Sequence, residues 1–482
     1  MDAPNLPVGR RVWAWVGAAL IFAFALTRFT ALTAFPPFVD EGVVVSWALG
    51  RPLQYAPEGR LLTVWLFAAV DAPNHATAFI MRAAVTLITL GGLAALIGLG
   101  RVLAGNVGGL IAGLGGLLSG YHFFFERLAL SDPPAAAAAL IGVYFAARLA
   151  RRRAFIDAVL CGIALFVAVG FKVTMLPYLG VPVAAALTLR PDRRLVWANL
   201  RWLMVALGVG GGLTAAYLIG LRLFGYNALG LLNTHNSAAP TLARIGGNIG
   251  QTAQLLIGYW GLPALLLIGI GVASLLIRRA GFVPLCVIGP MAVYWLNQSQ
   301  FSRFFMAAFA LLLLGGLIGL AALASRFGRA GHYALIGMVG VWGLVYFVPL
   351  ARAAYTDPAT LPLPPADRAE YIASEGSGFG LSGAAAAIQA AGGGRVLGVI
   401  ANCLGLRMVA PELVRVECPR LNPNGEDIPA LESLMTDWAT SGGGYAVLEG
   451  LPYAPQSAPG VLIGEFPRPD GGRTLRVYRL ER

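Results

Sequence analysis

The sequence predicts a polytopic α-helical membrane protein of about eleven transmembrane helices, followed by a small C-terminal α/β domain outside the lipid. Three observations carry this. Of 482 residues, 57% are hydrophobic and only 12% charged, about half the charged share of a soluble domain. The apolar residues gather into runs close to the ~20 residues a helix needs to cross a bilayer. Beyond Arg352 the composition changes, and Pro358, Pro362, Pro364 and Pro365 mark a linker.

The runs lie at roughly 12–34, 77–99, 103–124, 132–149, 154–171, 173–189, 201–223, 252–276, 281–297, 303–323 and 333–351. Arginine clusters at 10–11, 148–153, 190–201, 278–279 and 326–329 then all fall on one side. The positive-inside bias assigns that side to the cytoplasm. An odd number of spans that starts inside ends outside, so the expected arrangement is a multi-pass cell (inner) membrane protein, N-terminus in and C-terminal domain out. Arg10 and Arg11 precede a long first run with no small-residue cleavage site, which reads as a retained helix rather than a signal peptide. The net charge of +12 collects at the ends of apolar runs. That distribution argues for orientation and against nucleic-acid binding.

Residues 1–351 therefore read as the transmembrane domain and 352–482 as the extracytoplasmic one. A long first outer loop, 35–76, contains Val43–Leu49 and Leu61–Val70, apolar stretches too short to span and suited to interfacial helices. A second outer loop, 225–251, holds Asn227, Asn233, His235 and Asn236. In the tail, Gly383–Ala391 reads as a helix, and Arg395–Ile400 and Tyr445–Leu448 as buried strands. Val461–Phe466 and Thr474–Leu480, around Pro-Asp-Gly-Gly, read as a hairpin. Cys161 and Cys286 lie in apolar runs. Cys403 and Cys418 lie in the tail, in an oxidising compartment, and are expected to form a disulfide whose loop is worth roughly 3 kcal/mol in the chain-entropy model.

Several polar residues stand where burial makes them costly. Asp40 and Glu41 are adjacent carboxylates just past the first run; they are either a solvated loop pair or a functional pair at the membrane edge. Glu126, Arg127 and Asp132 gather near the outer ends of the third and fourth runs. Pro133 and Pro134 suit a first helical turn, which makes N-capping the plain reading of Asp132. Glu126 and Arg127 can pair with each other. Lys172 is the only lysine among the 35 basic residues, and it interrupts an apolar stretch. It either snorkels to the interface or meets a phosphate as a compact ammonium. Arg28, Arg82 and Arg303 lie at outer ends of runs, against the charge bias, and with Lys172 suggest an outward anion-binding cavity. His235 is a polar loop residue or a ligand.

The order of these features resembles the GT-C glycosyltransferases, in particular the protein O-mannosyltransferases and the lipid A aminoarabinose transferases. The likeness covers about residues 10–325 and rests on Phe38-Val39-Asp40-Glu41, on Arg82 in Ile80-Met81-Arg82-Ala83-Ala84, and on Arg127-Leu-Ala-Leu-Ser-Asp132. Phe171-Lys172-Val173-Thr174 and Ser302-Arg303-Phe304-Phe305 extend it. Asp367-Arg368-Ala369-Glu370-Tyr371 with Gly376-Ser-Gly378-Phe379-Gly380 is similar to a stretch after the last span in some members. The sequence departs from the family at Tyr55–Arg60, where a His-Pro-Pro-Leu-like segment is usual, and at Gly42.

The resemblance implies a sugar donor on a polyprenyl phosphate and transfer to an acceptor hydroxyl outside the cytoplasm, with inversion. Asp40 is then the catalytic base, and Lys172, Arg82 and Arg303 hold the donor phosphate. Glu41, Arg127, Asp132 and Arg28 are further active-site candidates, and Glu41 with His235 would hold a divalent metal cation. The sugar stays open, and so does whether the acceptor is protein, lipid or glycan. The competing readings are a transporter or polysaccharide-export component and a structural protein displaying a binding domain. Transporters often have broken central helices, and no broken helix is expected from this sequence.

Overall fold

A computed structural model describes residues 10–50, 59–70, 77–189, 193–226, 241–297, 301–410, 413, 415–419, 428–449 and 460–480. Contacts divide the chain into two compact units. The first comprises residues 1–30, 52–66 and 83–352, and the second comprises 31–51, 67–82 and 353–482. The expected boundary near residue 352 is therefore only part of the division, because two pieces of the first loop belong with the C-terminal domain.

The first unit is helical. Its helices are α1 (Arg10–Phe29), then α3 (Leu61–Ala69) after α2 (Val39–Gly50) of the other unit, followed by most of α4 (Thr77–Leu118). α5 (Gly120–Phe125), α6 (Asp132–Arg152) and α7 (Phe155–Phe171) come next, and a 3-10 segment (Val173–Gly180) leads into α8 (Val181–Thr188). α9 (Arg193–Leu223), α10 (Leu242–Trp260), α11 (Leu262–Ile277), α12 (Phe282–Leu296), α13 (Met306–Ala324), α14 (Gly328–Trp342) and α15 (Val348–Thr356) complete the series. Among the described residues, five helical stretches are long and apolar enough to cross a membrane, and a bent pair makes a sixth.

These stretches do not map one to one onto the eleven expected runs. Two neighbouring runs are joined in α4 across the non-helical Ala104 and Gly105. Two more are joined in the continuous stretch Ser302–Thr356. Phe155–Phe171, Val173–Thr188 and Phe282–Leu296 are apolar but short.

The run at 252–276 is broken, against expectation: α10 and α11 meet at 112°. The break is at Gly261, whose φ of +78° favours glycine and where a Cβ would lie 1.9 Å from the Tyr346 hydroxyl. The Trp260 carbonyl freed there accepts from the Trp342 indole at 3.0 Å. Protein groups satisfy the irregular backbone, as a low-dielectric setting requires. α9 is only 17% buried along its apolar window, whereas the most apolar window within Ser302–Thr356 is 89% buried. The latter is the centre of this unit, and the exposed apolar faces of α1 and α9 suit lipid.

The second unit adds α16 (Pro365–Arg368), α17 (Leu381–Ala390), β1 (Arg395–Val399), α18 (Cys403–Val409), β2 (Arg415–Glu417), α19 (Ile428–Thr440), β3 (Gly444–Glu449), β4 (Gly460–Phe466) and β5 (Leu475–Leu480). The strands form one sheet in the order β2-β1-β3-β5-β4. β1 runs parallel to β2 and β3, and the β4–β5 hairpin is antiparallel. Val396 packs on one face with Leu381, Ile388 and Leu406. Its neighbours Leu397 and Val399 pack on the other with Met435 and Trp438. Period-2 alternation between two covered faces makes β1 an unbroken apolar run. The sequence reading located the helix at 381–390 and four of the strands; it passed over β2, α18 and α19. The Cys403–Cys418 disulfide is present, with Cα atoms 5.8 Å apart.

Candidate functional site

In the first unit, three chain breaks bring polar groups together. Asp132 opens α6 just before Pro133 and Pro134. Lys172 follows α7 in extended conformation (φ −157°, ψ 121°), where the chain changes to a 3-10 helix. Arg303 lies in the 3-10 turn before α13. Lys172 Nζ is 2.6 Å from Asp132 Oδ1, and Arg303 Nε is 3.7 Å from Asp132 Oδ2. All three side chains are buried. The capping reading of Asp132 is thereby overturned: its carboxylate faces two cations, and Ser131, the N-cap residue, makes no side-chain capping bond.

Aromatic rings hold the cations. Lys172 Nζ lies 4.0 Å from the Phe304 ring centre, and the Arg303 guanidinium lies 4.6 Å from that of Phe301. α3 fixes the Lys172 junction. Thr63 donates to the Phe171 carbonyl at 3.1 Å. A Cβ at Gly170 would lie 2.5 Å from Leu62.

The sequence reading missed three groups here. Arg60 acts on Lys172 as a like charge. Among the described residues, the Thr174 and Ser302 hydroxyls are buried and have no hydrogen-bond partner. Their carbonyls do have partners: the Tyr294 hydroxyl donates to Thr174 O at 3.3 Å and the Tyr121 hydroxyl to Ser302 O at 2.6 Å. Each hydroxyl is one or two residues from a cation, a spacing visible in the Lys-Val-Thr and Ser-Arg strings. One buried carboxylate thus faces Lys172, Arg303 and the field of Arg60. Converging cations, with two hydroxyl donors unspent, suit an anion.

In the second unit, Asp40 and Glu41 sit in the first turn of α2. Adjacent helical positions point roughly 100° apart, so the pair divides its work. Glu41 is fully buried and makes a bidentate pair with Arg82, at 2.8 and 2.7 Å. Its Oε2 also accepts from the Phe38 N–H at 2.9 Å. Arg82 spends its remaining donors on the Leu32, Phe35 and Pro36 carbonyls at 2.7–3.3 Å. The donors of Arg82 and both oxygens of Glu41 are thus engaged within this network. Both lock the backbone from Leu32 to Glu41, and Asp40 is left half-buried at its end.

The C-terminal residues of the same unit grip that backbone. Asn402 donates to the carbonyls of Pro37 and Gly376, at 2.8 and 3.1 Å. The Val39 N–H donates to Gly376 O at 2.9 Å. A Cβ at Gly378 would lie 2.3 Å from Pro37 O, and one at Gly42 2.8 Å from the Gly405 nitrogen. Gly378 and the departure at Gly42 share one explanation, which is backbone packed on backbone, whereas Gly376 meets the side chains of Val39 and Phe38.

The remaining described candidates have protein partners. Arg28 is buried, with Nε 3.0 Å from Glu126 and with the Leu117 and Gly116 carbonyls accepting at 2.8 and 3.3 Å. Glu126 thus pairs with Arg28, not with its neighbour Arg127. Arg127 donates to the Thr30 carbonyl at 2.8 Å and stacks on Phe123. His235 lies outside the described residues. Among those described, no three His, Cys, Asp or Glu side chains gather as a metal site.

No protein-family model matches the sequence, and no curated protein matches it. Solved structures match over nearly the whole chain. ArnT from Cupriavidus metallidurans bound to undecaprenyl phosphate is 16% identical over 97% of this chain and 98% of its own, with a TM-score of 0.62. The apo state of the same enzyme is 17% identical over the same shares, with a TM-score of 0.60.

Proposed function

We propose that this chain, a multi-pass membrane protein with the GT-C fold of ArnT, transfers a sugar from a polyprenyl-phosphate donor to an acceptor hydroxyl on the extracytoplasmic side. The observation that carries this reading is the buried Lys172–Asp132–Arg303 cluster, in which two cationic side chains converge beside two buried hydroxyls. A group so desolvated is costly unless an anion completes it. ArnT was crystallised with undecaprenyl phosphate, and a lipid phosphate of that class supplies such an anion while its tail stays in the bilayer.

In this reading Lys172 and Arg303 receive the phosphate, and the Thr174 and Ser302 hydroxyls donate to its oxygens. Asp132 holds Lys172 in place. Asp40 takes the acceptor's proton as its oxygen attacks the anomeric carbon and the carbon–oxygen bond to phosphate breaks. The cations stabilise the negative charge that the leaving phosphate gains. Displacement in one step inverts the anomeric centre. Glu41 and Arg82 act through the backbone they lock and are positioning residues.

The test is transfer from labelled donor lipid by the purified full chain. Asp40→Asn keeps shape and removes basicity, so it should abolish transfer and leave donor binding intact. Lys172→Met should abolish binding. Wild-type turnover in Asp40→Asn would sink the base assignment and move it to Asp132. Unchanged donor affinity in Lys172→Met would sink the phosphate site.

A further inference from the structure

In the C-terminal sheet, β1 lies between β2 and β3 and runs parallel to both. The chain leaves β1 through α18 toward β2, and leaves β3 in the opposite direction, toward β4. In open α/β sheets, the crevice at the carboxyl ends of two strands that diverge in this way is where ligands bind. Here that place is filled by buried side chains of the chain itself.

Glu449 ends β3, and its Oε2 accepts from the Ala401 N–H, just beyond β1, at 3.0 Å. Its Oε1 pairs with Arg468, which donates through Nη2 to the Glu375 carbonyl at 3.1 Å. The next carbonyl, Gly376 O, accepts from Asn402 at 3.1 Å and from the Val39 N–H at 2.9 Å. Asn402 donates to Pro37 O as well, at 2.8 Å. Its Oδ1 accepts from the Gly405 N–H at 3.1 Å, which turns the amide nitrogen to the two carbonyls. Asn402, Glu449 and Arg468 are all buried.

A buried ion pair seldom gains stability over well-packed apolar residues, and both ends of this one are bonded to backbone. The bonds form a closed ring from the ends of β1 and β3, through Glu375 and Gly376, and back to Asn402. Pro37 and Val39 hang from that ring, and Asp40 is the next residue. A group held from strand ends is placed more tightly than one carried by a loop.

We propose that this crevice is the seat of the Asp40 turn, with Asn402 and Glu449 as positioning residues for the transfer reaction. The proposal rests on the reading of Asp40 as the base. Loss of the seat leaves the carboxylate intact but misplaced, and a displacement of about 1 Å can cost ~100-fold in rate. Lys172 and Arg303 belong to the other unit, so donor binding is expected to hold.

The test uses the purified full chain with Asn402→Asp, Asn402→Ala and Glu449→Gln. Asp caps a helix about as well as Asn, so Asn402→Asp spares the bond from Gly405 and removes the donation to Pro37 and Gly376. Transfer from a labelled polyprenyl-phosphate sugar, with a cell-membrane extract as acceptor, should fall roughly 10–100-fold in kcat in every variant. Affinity for a fluorescent polyprenyl phosphate should stay unchanged. Amide hydrogen exchange of residues 38–42 should rise while β1 and β3 stay protected. Native kcat in Asn402→Asp would reduce Asn402 to a helix cap and overturn the proposal. Unchanged exchange at 38–42, or equal losses of donor affinity and kcat, would overturn it too. Should the Asn402 variants unfold, Glu449→Gln, which keeps the side chain's shape, carries the test. Asp40→Asn runs beside them. Native turnover there sinks the base and with it the role in transfer, whereas raised exchange at 38–42 in the other variants still upholds the seat.

Discussion

Lys172 Nζ and Asp132 Oδ1 lie 2.6 Å apart, both side chains buried and forty residues apart in sequence. Neither residue is intelligible alone. Together with Arg303 they form a buried cluster in which one carboxylate faces two cations.

Breaking this pair from one side leaves a buried charge uncompensated. Asp132→Asn should therefore destabilise the membrane unit by about 3–5 kcal/mol. Lys172→Met with Asp132→Leu should recover most of that stability and none of the transfer. Thermal unfolding in detergent, paired with the donor-lipid assay, checks both. A double variant as unstable as the single one would mean that the pair is not the source of the effect.

Hydroxyls buried without partners behave differently. Thr174→Val and Ser302→Ala should be neutral or slightly stabilising, because each removes an unpaid desolvation cost. Each should weaken donor binding by about 5–10-fold, the worth of roughly 1–1.5 kcal/mol for a lost hydrogen bond. Thr174→Ser should restore binding. Titration of donor lipid decides it, and unchanged affinity in both variants would remove the hydroxyls from the phosphate site.

Gly42 faces the backbone of α18 with no space for a side chain. Gly42→Val should cost about 1–3 kcal/mol through overpacking and displace the turn that carries Asp40. The expected signature is a fall in kcat with little change in donor affinity, read from transfer kinetics and lipid titration on the same preparation. A variant with native kcat would show that the grip on this turn does not matter for transfer.

The disulfide closes a loop with a sequence separation of 15. Replacing Cys403 and Cys418 by serine should lower the stability of the C-terminal domain by roughly 3 kcal/mol. Urea titration followed by the fluorescence of Trp438, which packs in that domain's core, should show an earlier midpoint.

Much of this protein is written locally. Apolar runs mark the helices of the membrane unit because lipid demands length and continuity. The alternation of Val396 and Leu397 marks a strand buried on both faces, and Glu41, Arg82, Asp132, Lys172 and Arg303 stand out as charges in or beside apolar runs, all of them buried. Roles were less legible. Arg28, Arg82 and Lys172 look alike in sequence, each being a cation at the end of an apolar run. Two of them are fully engaged with protein carbonyls and carboxylates, and the third shares its one carboxylate with Arg303.

The sequence by itself determined the membrane class, the disulfide and the set of charged residues, because hydropathy, redox compartment and charge are properties of residues and of short runs. Only the tertiary structure decided which charges pair with which. Partner choice depends on which backbone carbonyls and carboxylates come within about 3 Å, and chain folding sets those distances across separations of 40 to 100 residues. Glu41 went to Arg82, Glu126 to Arg28 and Asp132 to Lys172. Burial in a low-dielectric interior then makes every such pairing hard to exchange, and so separates the residues that hold the backbone from those left to meet a ligand.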